Sequence, residues 1–494
     1  FGRAAAMYPP KYSQLVGSVC QRGNRRAERA VTPASSRLRA VARRAVLGHN
    51  PVPMDEYLTL LRRNPNFRNL WLGGVVSQLG DWFNVIAAAE IISRVTDSGA
   101  ALSLLFVSRF LPLFILSPVA GVLADRFDRR RILIASDLLR GVTVLGFLFI
   151  RDAGDIPLFY LLTVVQFSLS ALFTPARGAV LANVVPTGEL VAANALESLT
   201  WSTMLALGAF LGGVVAALFG AETAFVADAL SFLLSAFFIS RVVVGRAAGR
   251  PAGPPAEAAA APAGRFAFLD GFRYLWHEPF ILGIALAKAG GSLVWGAINV
   301  LEIRYAYDLF PLPGAARLGI ADAGTATLGL IYLLAGVGTG VGPLVMRRWL
   351  GDAPRLLVAG VSLGFVAMTA GTAWLATVGG LGGLLLATVL RTLGTGTLWV
   401  FSSALLQTIV PDHFRGRVFS FEFAALTLTQ SISTLAAGAF LDRGGLSVAQ
   451  VMGVQAGVGL LTTALWGLFH LRHRGVLRAG GLPLRATPGP SAAP

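Results

Sequence analysis

Ionisable side chains embedded in long apolar runs are the part of this sequence that can do chemistry. In the run that follows Arg68, Gln78, Asp81 and Val85 recur at spacings of three and four, so they share one helix face, with Asn84 alongside. A carboxyl at bilayer depth is costly when charged, so Asp81 needs a role. Two readings stand: a proton carrier, or a fixed partner of Arg109 in the next run. Glu90 lies nine residues beyond Asp81 and points to the opposite face; with Arg94 four residues later it reads as a local ion pair. Asp137 and Arg140, three apart, read as a structural pair, and Asp228 as an anchor of helix packing.

A later run carries Lys288, Ser292, Trp295, Asn299 and Glu302 every three or four residues, one polar and aromatic stripe. Lys288 and Lys11 are the only lysines in the chain. Lys288 is expected to line a central cavity or pair with Asp81; the competing reading is that it snorkels to the headgroups. Arg391 stands 225 residues after Gln166, which makes the two facing groups of equivalent segments. Lys288 and Arg391 against Asp81 give a cavity that leans cationic, suited to acidic or catecholate-bearing molecules. His413, beside Arg415 and Arg417, reads as solvated. Other chemistry finds no support: there is no P-loop, no His-Glu-x-x-His and no Gly-x-Ser-x-Gly. The single cysteine, Cys20, excludes an intramolecular disulfide and a cysteine metal centre, and no cofactor is expected.

The elements that must position these groups follow from composition. Of 494 residues, 55% are hydrophobic and 13% charged, with mean hydropathy +0.67, against about 25% charged in a soluble domain. A soluble multidomain enzyme and a disordered or fibrous chain are excluded. Twelve apolar stretches approach the roughly 20 residues that cross a bilayer core. They span about 68–94, 100–123, 131–151, 157–181, 193–219 and 222–243, then 280–303, 323–346, 354–376, 379–405, 417–441 and 446–470. An all-α integral membrane protein with two pseudo-symmetric six-helix bundles is expected, at 54–245 and 280–471. The halves echo each other: Val184 to Pro186 recurs as Ile409 to Pro411, and Gly213 as Gly438, at the same offset of 225. Parallel six-helix halves around a midplane site are a transporter architecture.

The net charge of +16 is partly a tail, since residues 1–53 hold ten Lys and Arg against Glu28 alone. That segment reads as a disordered extension, with Met54 a natural start and a transit peptide the alternative. No nucleic acid is expected as a partner. The Pro/Ala/Gly-rich stretch from Arg246 to Gly264 reads as a linker, and Phe266 to Trp276 as a helix along the membrane surface, both within a 246–279 connection. Residues 472–494 read as a disordered tail. Arg126, Arg129, Arg130 and Arg131, then Arg347, Arg348 and Arg355, then Arg415, Arg417, Arg472, Arg474 and Arg478 fall on one side, which the positive-inside tendency puts in the cytoplasm with both termini.

Gly121 to Arg131 reads Gly-Val-Leu-Ala-Asp-Arg-Phe-Asp-Arg-Arg-Arg and resembles the signature loop of the major facilitator superfamily, with Asp128 where many members have Gly. Ser77 to Phe83, Arg109 to Pro112, Ser136 to Arg140, Phe173 to Arg177, Ala193 to Leu196 and Asp228 to Ala236 resemble its macrolide-efflux and enterobactin-exporter-like branch, in the right order from Met54 to His470. The resemblance implies a twelve-helix alternating-access transporter that exports small amphipathic molecules against proton entry in the bacterial plasma membrane, acting as a monomer. It makes Gly121, Asp125, Arg126, Arg129 and Arg130 a cytoplasmic gate. Gly208, Gly212 and Gly213 resemble the Gly-Pro antiporter motif of helix 5, with Ala209 replacing its proline, and Thr163 stands where many proton-coupled relatives carry arginine. A lysophospholipid flippase, an uptake permease and a nontransporting receptor are the alternatives.

Overall fold

The structure is a computed structural model that describes residues 54–186, 189–243, 273–351 and 353–473. The expected extension at 1–53, the linker at 246–264, most of the surface helix and the tail beyond 473 lie outside the described residues; 273–277 are helical. A short helix, Met54–Arg63, precedes the spans in sequence.

Among the described residues, twelve helices are long and apolar enough to cross a bilayer. In the first half these are α1 (Pro65–Val95), α2 (Gly99–Arg126), α3 (Arg129–Leu145), α4 (Ile156–Val184), α5 and α6 (Ala221–Ser240). α5 is built from Leu190–Thr203 and Ala209–Phe219, joined by a π-helical turn at Met204–Gly208. In the second half α7 comprises Pro279–Ala285, Ala287–Arg304 and a π turn at Tyr305–Leu309. It is followed by α8 (Ala323–Leu350), α9 (Pro354–Leu375), α10 (Leu381–Ile409), α11 (Asp412–Asp442) and α12 (Val448–Arg472). Every expected segment is present. The larger shifts are at α3, which ends at Leu145 rather than 151, at α7, whose π turn carries it to Leu309 rather than 303, and at α11, which begins directly after Pro411 rather than at 417.

Local chemistry sets the helix starts. The side chains of Asn64, Ser98, Asp128, Asp322 and Ser447 each accept a hydrogen bond from a first-turn amide of α1, α2, α3, α8 and α12, satisfying donors the helix leaves free. Asp128, the departure from the signature loop, therefore has a structural use: it accepts from Arg131 N at 2.8 Å and starts α3.

In the first half α1 packs on α6, α3 on α4 and α6, and α2 on α4; in the second α7 packs on α11, α10 on α8 and α9, and α9 on α12. Where α4 and α6 meet the end of α3, the fully buried Phe147 stacks on Phe225 and meets Phe159 edge to face. Outward faces are apolar, as with Leu230, Leu233 and Phe237 of α6 and Leu460, Leu461, Leu465 and Leu468 of α12. So much bare apolar side chain suits lipid contact and not water.

Across the halves α2 packs on α11 and α5 on α8. The repeat at offset 225 marks equivalent structure: α4 ends at Val184 and α10 at Ile409. Gly213 and Gly438 are both points where the halves touch. A Cβ on Gly213 would lie 2.7 Å from Gly329 Cα, and one on Gly438 would lie 2.7 Å from Gly99 O. Only glycine permits backbones that close.

Candidate functional site

The core of the first half is a charged network carried by four helices. Asp137 and Arg140 of α3 form the ion pair expected from their spacing. Asp137 also accepts from Ser235 Oγ of α6 at 2.7 Å, and the Arg140 guanidinium lies over the rings of Phe173 and Phe232. From α2, Arg109 donates to Asn84 Oδ1 at 3.1 Å and lies over Phe167. Asn84 in turn donates to Gln166 Oε1 of α4 at 3.5 Å. Asp81 interacts through space with Arg140 and Arg109, and Asp228 with Asp81, Arg140 and Arg109. Asp137 and Asp228 are 0% exposed, whereas Asp81 is only partly buried. Gly80 lets α1 and α6 approach here, since a Cβ on it would meet Asp228 Oδ1 at 2.5 Å.

Several sequence expectations are corrected by this geometry. Of the two readings of Asp81, the close pair with Arg109 is not formed: the Arg109 guanidinium donates to Asn84, one turn along α1, and acts on Asp81 only through space. Arg94 pairs with Glu222 of α6 at 3.0 Å, not with Glu90: the long side chain reaches a neighbouring helix that the sequence spacing cannot see. Asp228 sits at a helix contact, and one of its carboxylate oxygens is buried with no hydrogen-bond partner among the described residues.

In the second half, Lys288 is 4% exposed and pairs with Glu422 of α11 at 3.0 Å. It also donates to Ser403 Oγ of α10 at 2.6 Å and lies over the Trp399 ring, which contacts Trp295. Neither the pairing with Asp81 nor snorkelling to headgroups describes it. Arg391 pairs with Glu302 of α7. Gln166 and Arg391 thus do not meet; each is held by the first helix of its own half, Gln166 by Asn84 and Arg391 by Glu302. Both cations carry a carboxylate partner, so the expected cationic lean of the cavity is cancelled. Asn299 and Trp295 are partly exposed, and Gln78 Oε1 is buried without a hydrogen-bond partner among the described residues.

The halves are fastened at one end. Asp442, ending α11, accepts from Ser98 Oγ and Gly99 N at 2.6 Å and from Ala100 N at 2.9 Å, all at the start of α2. Ser103 Oγ donates to Thr434 O at 2.7 Å, and Ala321 N to Ala217 O at 2.8 Å. These bonds lie toward the end opposite the arginine-rich turns, so the structure is closed on that side. Nearer the middle, Trp82 of α1 meets Tyr332 of α8 with ring centroids 5.8 Å apart. Tyr332 feels Arg109 of one half and Glu302 and Arg391 of the other.

At the arginine-rich end, Arg126 is exposed and Arg130 donates to Ser240 O of α6, tying the expected gate loop to its own half; Arg129 is partly buried. The side chains of Asp125 and His413 and position Gly121 are not among those described. Arg177 and Glu197 form a two-bond pair between α4 and α5 at 2.5 and 2.8 Å. In the helix-5 motif, Gly208 approaches Trp82, and Gly212 approaches Phe83. The π turn ending at Gly208 distorts α5 where the proline would stand, so Ala209 does not leave a regular helix. Sequence reasoning missed Glu422, Trp399, Tyr332 and Asp442; Glu422 was detectable as a carboxyl inside an apolar run.

Two equivalent six-helix halves, fastened at one end around buried charges, define a major facilitator membrane transporter and not an enzyme. The profile of the family described as transmembrane secretion effector matches residues 59–477, and the chain belongs to that family. It is 29% identical over 399 residues to the MFS-type transporter YfiS of Bacillus subtilis, covering 79% of this chain and 90% of YfiS. It is 24% identical over 400 residues to the multidrug efflux pump Tap of Mycolicibacterium fortuitum, covering 79% of this chain and 92% of Tap. In fold it is similar to a mutant of the nucleoside transporter NupG, with TM-score 0.63, 12% identity, and coverage of 82% of this chain and 100% of that one. These relatives place it in the efflux branch of the superfamily, acting on small molecules within a membrane.

Proposed function

We propose that the protein is a proton-coupled exporter of small amphipathic compounds, of drug or siderophore type, working by alternating access as a monomer in the bacterial cytoplasmic membrane. The arginine-rich turns and both chain ends face the cytoplasm in this reading. The observation that carries proton coupling is the charge balance of the buried network in the first half. Among the described residues, the cations that act on Asp81, Asp137 and Asp228 are Arg109 and Arg140. Three carboxyls against two guanidiniums leave one negative charge in excess, and burying it unpaired costs several kcal/mol. A proton on the Asp81 and Asp228 pair removes that cost. Asp81, the partly exposed member, is the one water can reach, so the proton enters and leaves through it.

Lys288, Trp295, Trp399, Asn299 and Gln78 supply the cavity wall, where aromatic faces and a paired cation suit amphipathic solutes. Export is supported by the likeness to a multidrug efflux pump along nearly its whole length. In inside-out vesicles with an imposed proton gradient, Asp81→Asn is expected to abolish gradient-driven accumulation of a fluorescent drug while leaving the protein folded. Unchanged accumulation would remove Asp81 from coupling. Movement of a lysophospholipid that persists after gradient collapse would favour the flippase reading instead.

A further inference from the structure

Glu90 lies near the end of α1, on the side where the halves are fastened. It is 6% exposed, and its Oε2 has no hydrogen-bond partner among the described residues. The cation nearest in sequence, Arg94, is committed to Glu222. The groups that face Glu90 come from four helices: Arg94 on α1 itself, Glu222 and the Ala221 amide on α6, Tyr307 on α7 and Asp322 at the start of α8. Tyr307 and Asp322 belong to the other half. Tyr307 Oη is 2.6 Å from Thr325 Oγ1, and Asp322 accepts from Thr325 N at 2.6 Å. The Asp322 amide reaches back across the halves to Ala217 O at 3.2 Å.

When this end is closed, Glu90 is therefore shut in beside two other carboxylates, one of them contributed by the opposite half. Among the described residues, the cation that acts on Glu90, Arg94, is already paired with Glu222. An ionised carboxylate with an unfilled lone pair is penalised in that position, whereas the neutral acid is not. When the halves part, Asp322 withdraws, water reaches the pocket, and the penalty disappears. A group that binds a ligand more tightly in one of two conformations biases the equilibrium toward that conformation.

We propose that Glu90 is a proton-binding site whose occupancy closes the face opposite the arginine-rich turns. The chemistry is one proton taken up by one carboxylate, with no other bond made or broken. The sign follows: lowering pH fills the site and favours the closed form, and raising pH empties it and favours parting of the halves at this end. The proposal rests on the alternating-access reading but is independent of whether Asp81 carries the coupling proton.

The test uses the full chain in lipid nanodiscs with Cys20→Ser, and spin labels at Asp97→Cys and Arg443→Cys, two exposed positions on opposite halves at this rim. Pulsed electron resonance across a pH series is expected to show a short distance at low pH giving way to a longer one as pH rises. Glu90→Gln is expected to lose that pH dependence and keep the short distance throughout, while Glu90→Asp retains a transition. Asp322→Asn is expected to move the midpoint to lower pH, and it keeps the argument testable if the Gln variant fails to assemble. A Glu90→Gln variant that titrates as the parent does would overturn the proposal. So would a transition lost in Asp81→Asn but kept in Glu90→Gln, an outcome that leaves the proposed coupling role of Asp81 standing.

Discussion

Partner choice is where buried charges acquire meaning. Glu302 and Arg391 are each almost fully enclosed, and neither has water to fall back on. Removing one partner strands the other, at a cost of about 3–5 kcal/mol, while replacing both with apolar residues is much gentler. Arg391→Leu and Glu302→Leu are therefore each expected to lower the unfolding midpoint of detergent-purified protein sharply, and the double variant to recover most of it. Equal losses in all three would show the pair is solvated. The same physics explains how far the site was legible. Asp81, Asn84, Gln166, Lys288 and Arg391 were found because a polar residue inside an apolar run stands out by type. Their partners were not, because spacing along one helix says nothing of the neighbours across it: Lys288 meets Glu422 at a sequence distance of 134. Asp137 with Arg140 was legible since both lie on one helix, three residues apart.

At the level of helices, boundaries were readable almost throughout, because apolar length and capping side chains are local properties. The π turns at Met204–Gly208 and Tyr305–Leu309 were not, since no residue type announces an extra backbone atom ring in the way proline announces a bend. Glycine at offset 225 was visible as a repeat, but its purpose, letting α5 meet α8 and α11 meet α2, emerges only from packing. Gly213→Leu would push its side chain into the Gly329 backbone. Loss of transport with a folded, monodisperse protein is expected, whereas Gly453→Leu, where nothing stands within 4 Å of an added Cβ, is expected to be silent. If both variants transport normally, the contact at Gly213 is not needed for rocking.

For the molecule as a whole, two halves in one chain could be inferred from the 225-residue repeat, and the family from the resemblance carried by Gly121 to Arg131 and the motifs around it. Which end is closed could not. A sequence that alternates between two states must satisfy both, so its pattern favours neither. The closed end depends on a few interactions, chief among them the carboxylate of Asp442 on the first amides of α2. An anion at a helix start also gains from the helix dipole, by about 0.3–1 kcal/mol. Asp442→Ala is expected to shift the Asp97 and Arg443 label pair toward the longer distance at every pH, without abolishing its pH dependence. An unchanged distance distribution would mean that the glycine contacts and the Ser103 and Ala321 hydrogen bonds hold this end without it.

The fastening of α2 to Asp442 also creates a surface shared by the two halves, which in the proposed alternating-access cycle would exist only while this end is closed. Asp97 and Arg443 flank it from opposite halves, so together they form a composite epitope. A single-domain antibody selected on that rim would act as a wedge in reverse, gripping both lips and arresting transport; in the proposed orientation it would do so from outside the cell.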